Sequence, residues 1–180
     1  MEDLKNNSAK WVMDPAHSEL TFKVRHMMIS NVKGEFKNFS AEIDHEEFDK
    51  GSVNVNVETS SVSTNNNDRD NHLKSADFFD AENHPAMTFK STGLKKADDD
   101  EYKLEGLLTI KGVSKKVVFD VEFGGKNKDP WGNEKAGFSL DGKISRKDWG
   151  LNWNAALETG GVLVSDEVRI GGEIQFVKQS

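Results

Sequence analysis

The 180 residues suffice for one hydrophobic core and leave little for a second. With 24 basic against 31 acidic residues the net charge is -7, the wrong sign for a surface that tracks phosphates, which argues against a nucleic-acid partner. The absence of cysteine excludes disulfides, thiolate zinc sites, iron–sulfur clusters and cysteine nucleophiles.

The opening MEDLKNNSAK is acidic and polar, whereas a secretory leader needs a basic start and an apolar stretch of ~7 to 15 residues. Cytoplasmic residence is therefore expected, or a periplasmic one if a signal has been removed. No apolar run approaches the ~18 to 20 residues of a membrane span, so an integral membrane protein is not expected. Residues 1–9 read as a flexible segment and residues 10–178 as one domain.

In chain order, the first strong pattern is period two. Leu20, Phe22 and Val24 point one way, with His26 continuing their parity, and Thr21, Lys23 and Arg25 point the other. Val53, Val55 and Val57 alternate in the same way with Asn54, Asn56 and Glu58. Between Asn65 and Pro85 the pattern changes, and Arg69, His72, Leu73 and Ala76 fall on one face of a short helix. Period two returns in Val117, Phe119, Val121 and Phe123, in Phe138, Leu140 and Ile144, and in Val168, Ile170, Ile174 and Phe176. The irregular stretch Asp148 to Leu157 holds two of the four tryptophans and fits a helical turn. Turn signals at Asp49-Lys50-Gly51, Asp98-Asp99-Asp100, Lys111-Gly112 and Lys128 to Gly132 imply short antiparallel connections. Eight or nine half-buried strands suit either a two-sheet sandwich or a closed barrel, and pattern alone does not decide between them.

Catalytic and metal signatures are weak. His17, His26, His45, His72 and His84 form no H-x-H or H-x-x-x-H pair, so metal ligation is not expected. No G-x-S-x-G elbow surrounds any serine, and the nucleotide-cradling glycine loops are missing. Asp166 and Glu167, adjacent on a strand, face opposite sides and do not act together across one bond. The densest polar cluster is Arg69-Asp70-Asn71-His72, close to Phe78-Phe79; it suits either a ligand head group or a hydrogen-bonded plug.

Four blocks in order carry a resemblance. They are "WVMDPAHSELTFKVRHMMISNVKGEFKNFSAEI" from Trp11, "SSVSTNNNDRDNHLKSADFFDAENHPAMTF" from Ser60, "LLTIKGVSKKVVFDV" with the later "SRKDWGL", and "VSDEVRIGGEIQF". Over about residues 10 to 178 the chain resembles the YceI-like family of polyisoprenoid-binding bacterial proteins. The resemblance implies an all-β fold: an extended, antiparallel, eight-stranded, lipocalin-like barrel with one or two short helices and a long apolar tunnel.

On such a barrel the expected lumen residues are Leu20, Phe22, Val24, His26, Phe36, Val53, Val55, Val57, Phe89, Phe119, Val121, Phe138, Leu140, Val168 and Ile170. His17, Arg69, Asp70, His72, Phe78 and Phe79 are the candidates for the mouth or a head group. No metal, cofactor or catalytic residue is expected. The implied partner is an isoprenoid quinone, a polyprenyl compound or a similar amphiphilic chain, held by a binding or carrier protein with a place in stress response. Transient membrane contact and a homodimer stay open. Two other functions are carried: an enzyme acting on a bound lipid or quinone with a His-Asp pair as acid and base, and a filled barrel acting in protein interaction.

Overall fold

The computed structural model describes residues 10–155, 157 and 163–179, so the segment 1–9 lies outside the described residues. The strands are β1 (Trp11–Met13), β2 (Glu19–His26), β3 (Ser30–Phe36), β4 (Phe39–Ile43), β5 (Val53–Glu58), β6 (Val62–Ser63), β7 (Ala86–Lys96), β8 (Glu101–Ile110), β9 (Val113–Lys128), β10 (Glu134–Ser145) and β11 (Val164–Lys178). One α-helix, α1 (Asn67–Lys74), stands among them.

All pairings are antiparallel, and the register makes these segments eight walls. β1 and β2 are one wall interrupted at Asp14–Ser18, β3 and β4 one wall bent at residues 37–38, and β5 and β6 one wall interrupted at Thr59–Ser61. With β7 to β11 they run up and down around a ring. β11 closes it, pairing with β10 through Val168 and Ile144, with β2 through Ile170 and Phe22, and with β1 through Phe176 and Met13. The fold is therefore a closed antiparallel barrel, which settles the choice between sandwich and barrel.

Local chemistry explains the first interruption. Pro15 has no N–H to give a ladder, so the chain turns out in a single 3-10 turn, Pro15–His17, whose start is capped by the Asp14 carboxylate on the Ala16 amide at 3.1 Å. Ser18 then repairs the seam, its Oγ donating to the Asp14 carbonyl at 2.7 Å and accepting the Gln175 amide at 3.0 Å. The hairpin joining β2 to β3 is tighter: the Ile29 amide returns to the His26 carbonyl, and Met27 and Met28 hold φ of 54° and 65°. Left-handed backbone costs a non-glycine residue roughly 1 to 2 kcal/mol.

The lower end of the barrel is packed solid. Phe48, thrown inward from the β4–β5 connection, meets Phe123 at 4.8 Å, Phe138 at 5.1 Å and Tyr102 at 6.1 Å between ring centroids. Trp11, Ile43 and Phe176 complete this cluster. At the upper end the β2–β3 and β8–β9 hairpins, the connection 64–85 with α1, and residues 146–155 surround a different environment.

The helix is shorter than its sequence pattern. It stops at Lys74 because the Ser75 amide and hydroxyl both return to the His72 carbonyl, at 3.1 and 2.6 Å, and a run of tight turns follows through Asp80. Ala76 is exposed, so it does not belong to the inward face. In Asp148 to Leu157 the helical turn is a 3-10 turn, Arg146–Trp149, ended by Gly150 at φ 80°; residues 151–155 are irregular, and residue 156 lies outside the described residues.

Candidate functional site

A cavity of about 550 Å³ occupies the upper half of the barrel. Its wall follows from strand parity: Leu20, Phe22 and Val24 of β2, Val55 and Val57 of β5, Phe89 of β7, Phe119 of β9, Leu140 of β10, and Val168 and Ile170 of β11 all face it, as do Phe36 and His26. Three close approaches shape that wall. A Cβ at Gly142 would overlap the Phe119 ring, one at Gly34 would overlap Phe22 and one at Gly106 would overlap Phe89, so each ring packs against the glycine of the neighbouring strand.

Val53, Val121 and Phe138 do not line the cavity, contrary to the parity reading. They share the inward parity but fall lower, and the Phe48 cluster and its neighbours fill the space around them. Along β2 the lining runs from Leu20 to His26, and along β11 from Val164 to Ile170, roughly 20 Å on each at ~3.3 Å per residue. The interior is a pocket with a floor, shorter than the long tunnel the resemblance implied.

The roof is built by α1 and the chain after it. Arg69, His72 and Leu73 on the helix, and Phe78 and Phe79 beyond it, face the cavity. The Asn66 side chain accepts the Arg69 amide at 3.0 Å and so starts the helix. Thr64 anchors it: the buried Asp70 carboxylate accepts the Thr64 amide at 2.8 Å and its hydroxyl at 2.6 Å, while Arg69 donates from Nε to the Thr64 hydroxyl at 2.7 Å and from Nη2 to its carbonyl at 2.8 Å. Asp70 therefore faces Thr64 and not the cavity, correcting its place at the mouth. His72 stands edge-on to Trp153 at 4.5 Å and to Phe78 at 5.1 Å, with Nε2 2.9 Å from the Asp77 carboxylate. Phe79 packs edge-on to Phe36 at 5.7 Å.

His17 is misplaced by the sequence reading. It lies on the outer wall in the β1–β2 interruption, exposed, with Nδ1 2.8 Å from Asp14.

Arg146 is the organising residue that sequence reasoning did not single out for the site. Its guanidinium is buried under Phe78, 6.0 Å from the ring centre, and donates to the carbonyls of Ser165 at 2.9 Å, Leu151 at 2.5 Å and Trp153 at 2.8 Å. Burial lowers its pKa, and the nearby Asp166 charge partly restores it. Those bonds fold the connection after β10 over the mouth and bring Trp153 to the cavity. The lining residues Leu104, Leu108 and Ile110 of β8 were also missed, although their alternation in "LEGLLTI" is the same period-two signal.

The interior is thus mainly hydrocarbon and aromatic, with Thr21 and Thr88 on the wall and the other polar groups, His26, Asn66, Asp68, Arg69, His72 and Arg146, toward the open end. Such a site removes an apolar chain from water while its polar end stays near solvent. No cluster of three metal-ligating side chains occurs among the described residues.

The fold defines a lipocalin-like closed barrel that encloses an apolar cavity. The sequence model of the YceI-like domain matches residues 11–176, and the chain belongs to that family. A UPF0312 protein of Staphylococcus epidermidis is 41% identical over 170 residues, covering 93% of this chain and 96% of its own. The crystal structure of a Campylobacter jejuni YCEI protein superposes with a TM-score of 0.75 at 40% identity, over 87% of this chain and 90% of that one. A Saccharophagus degradans domain described as polyisoprenoid-binding shares the fold, with a TM-score of 0.73 at 15% identity over 96% and 100% of the two chains.

Proposed function

We propose that the protein is a non-catalytic binding or carrier protein that holds the apolar part of an isoprenoid quinone, a polyprenyl compound or a similar amphiphile. The observation that carries this reading is the floored, aromatic-walled cavity of about 550 Å³, a size that takes one medium-sized molecule. Family membership supports lipid binding, and the polyisoprenoid-binding description of the structural neighbour agrees with it. Because the floor limits depth, a short chain or a folded longer one fits better than a long straight one.

Trp153 provides the test, since it lines the cavity whereas Trp131 is 83% exposed on a hairpin at the other end. A short-chain quinone titrated into the Trp131→Phe variant should quench fluorescence saturably with one equivalent, and the further change Trp153→Phe should remove most of that quenching. A linear, non-saturating response in both would count against the cavity as a binding site.

A further inference from the structure

Four cations stand in one cross-strand row on the outside of the barrel, just below its open end. Lys143 of β10 is in register with Arg169 of β11, Arg169 with Lys23 of β2, and Lys23 with Lys33 of β3. Like charges set directly opposite each other destabilise a sheet, so the row has no structural benefit in itself. Among the described residues only Lys143 of the four has a carboxylate within 4 Å, Glu167 at 3.6 Å. The row is also out of character for a chain of net charge -7, and no acidic residue occurs between positions 20 and 34. The sequence neighbours of these cations, Ile144, Val168, Val24 and Val32, point the other way and line the cavity.

Directly above the row the β2–β3 hairpin ends in Met27, Met28 and Ile29, which are 45%, 51% and 82% exposed. Met27 and Met28 both hold left-handed backbone, which Asn and Gly adopt more easily than Met. Conformational strain and apolar exposure therefore fall on the same residues. Arg25 carries the positive face up to them, its Nη1 donating to the Met28 carbonyl at 3.2 Å, and His26 beside them lines the mouth. The neighbouring acids are Glu167 and Asp166, which face Lys143, Arg146 and Lys147, Asp68 on the rim, and Asp141 and Glu35, which stand two residues from Lys143 and Lys33 on the same outer face, on the side away from the open end.

From this arrangement we infer that the wall of β10, β11, β2 and β3 docks the open end of the barrel on an anionic lipid bilayer. The cation row lies against the headgroups, and Met27, Met28 and Ile29 enter the boundary with the acyl chains. A second copy of the chain is a poor fit for this face, because a two-fold contact would set the row against itself. Docked in this way, the mouth opens toward the bilayer, and an apolar chain passes between membrane and cavity with little exposure to water. That purpose rests on the carrier reading; the docking itself does not.

The full chain is sedimented with vesicles of phosphatidylcholine alone and of phosphatidylcholine containing phosphatidylglycerol. Binding should favour the anionic vesicles and weaken as salt is raised. A tip variant, Met27→Asn with Met28→Gly and Ile29→Thr, and a row variant, Lys23→Gln with Lys33→Gln, should each bind anionic vesicles at least about tenfold more weakly. Both should melt at the wild-type temperature or above and keep the saturable quinone quenching. The inference is overturned if the wild type ignores anionic vesicles, if both variants bind like it, or if the tip instead proves to hold a concentration-dependent dimer. Failure of the carrier reading would appear separately, as absent quinone binding in the unmutated protein.

Discussion

Val168 and Val121 have the same inward parity, yet one fronts the cavity and the other is packed below it, so a single substitution should behave oppositely at the two sites. Valine to tryptophan adds side-chain volume on the order of three water molecules, ~90 Å³. At position 168 that volume enters a cavity of about 550 Å³. At about 24 cal/mol per Å³, occupying it recovers up to about 2 kcal/mol, against which some rotamer strain is set. Val168→Trp should therefore melt near or above the wild-type temperature and lose binding of a quinone or a fluorescent polyene fatty acid. Val121 is 8% exposed, and there the indole overpacks at a cost of about 1 to 3 kcal/mol. For a chain of this size that is a fall of roughly 2 to 12 °C, with binding retained by the folded fraction. Thermal melting followed by circular dichroism, paired with ligand titration, reads both properties. Equal destabilisation by the two substitutions would refute the floored cavity.

Gly142→Ala should drive the Phe119 ring off the wall and into the lumen, weakening ligand binding more than it lowers the urea midpoint; unchanged affinity would show that the glycine does not shape the site. Arg69→Ala removes two hydrogen bonds to Thr64 and should cost about 1 to 3 kcal/mol in urea unfolding, whereas His72→Ala, on a half-exposed ring at the rim, should alter ligand selectivity with a smaller change in stability. The reverse ranking would make Arg69 the head-group residue. For pH, the hydrogen bond from His17 leads the causes that hold the Asp14 carboxyl below its ordinary value, opposed by burial and aided by the Ala16 amide and Lys135. At Asp129 burial pushes upward, but hydrogen bonds from Asn133 and Trp131 and the Lys135 charge outweigh it, and the net shift is again downward. Depressed carboxylates stabilise the fold above the ordinary carboxylate range and lose that contribution as pH falls through their folded values. Lys135 lies 3.5 Å from Asp14 and 3.8 Å from Asp129, so Lys135→Met should start the acid loss of stability at higher pH; identical acid profiles of urea midpoints would contradict the linkage.

Period two made the wall legible because parity is a local property of a strand: Phe22, Val57, Phe119 and Ile170 could be placed inward from their neighbours alone. The floor was not legible, because Val53, Val121 and Phe138 carry the same alternation as the residues above them. Phe48, whose turn context gave no hint of burial, comes from a distant connection to fill that level. His17 could not be placed either, since the Pro15 interruption turns it to the outside although it stands one turn before a strand of inward residues. Arg146 and Trp153 lie in stretches without periodicity, and their positions are set by carbonyls of the same connection and of β11 that only the folded chain brings together.

The central claim, that one apolar chain occupies this barrel in the cell, is met most directly by native mass spectrometry of the protein isolated from its own host without detergent, followed by solvent extraction and lipid analysis of the same sample. The account predicts an excess mass matching one amphiphile per barrel, recovered in the extract as a quinone, polyprenyl compound or related chain and lost from Val168→Trp. A bare polypeptide mass, unchanged after incubation with added quinone and polyprenyl compounds, would contradict it and leave the barrel to a role in protein interaction.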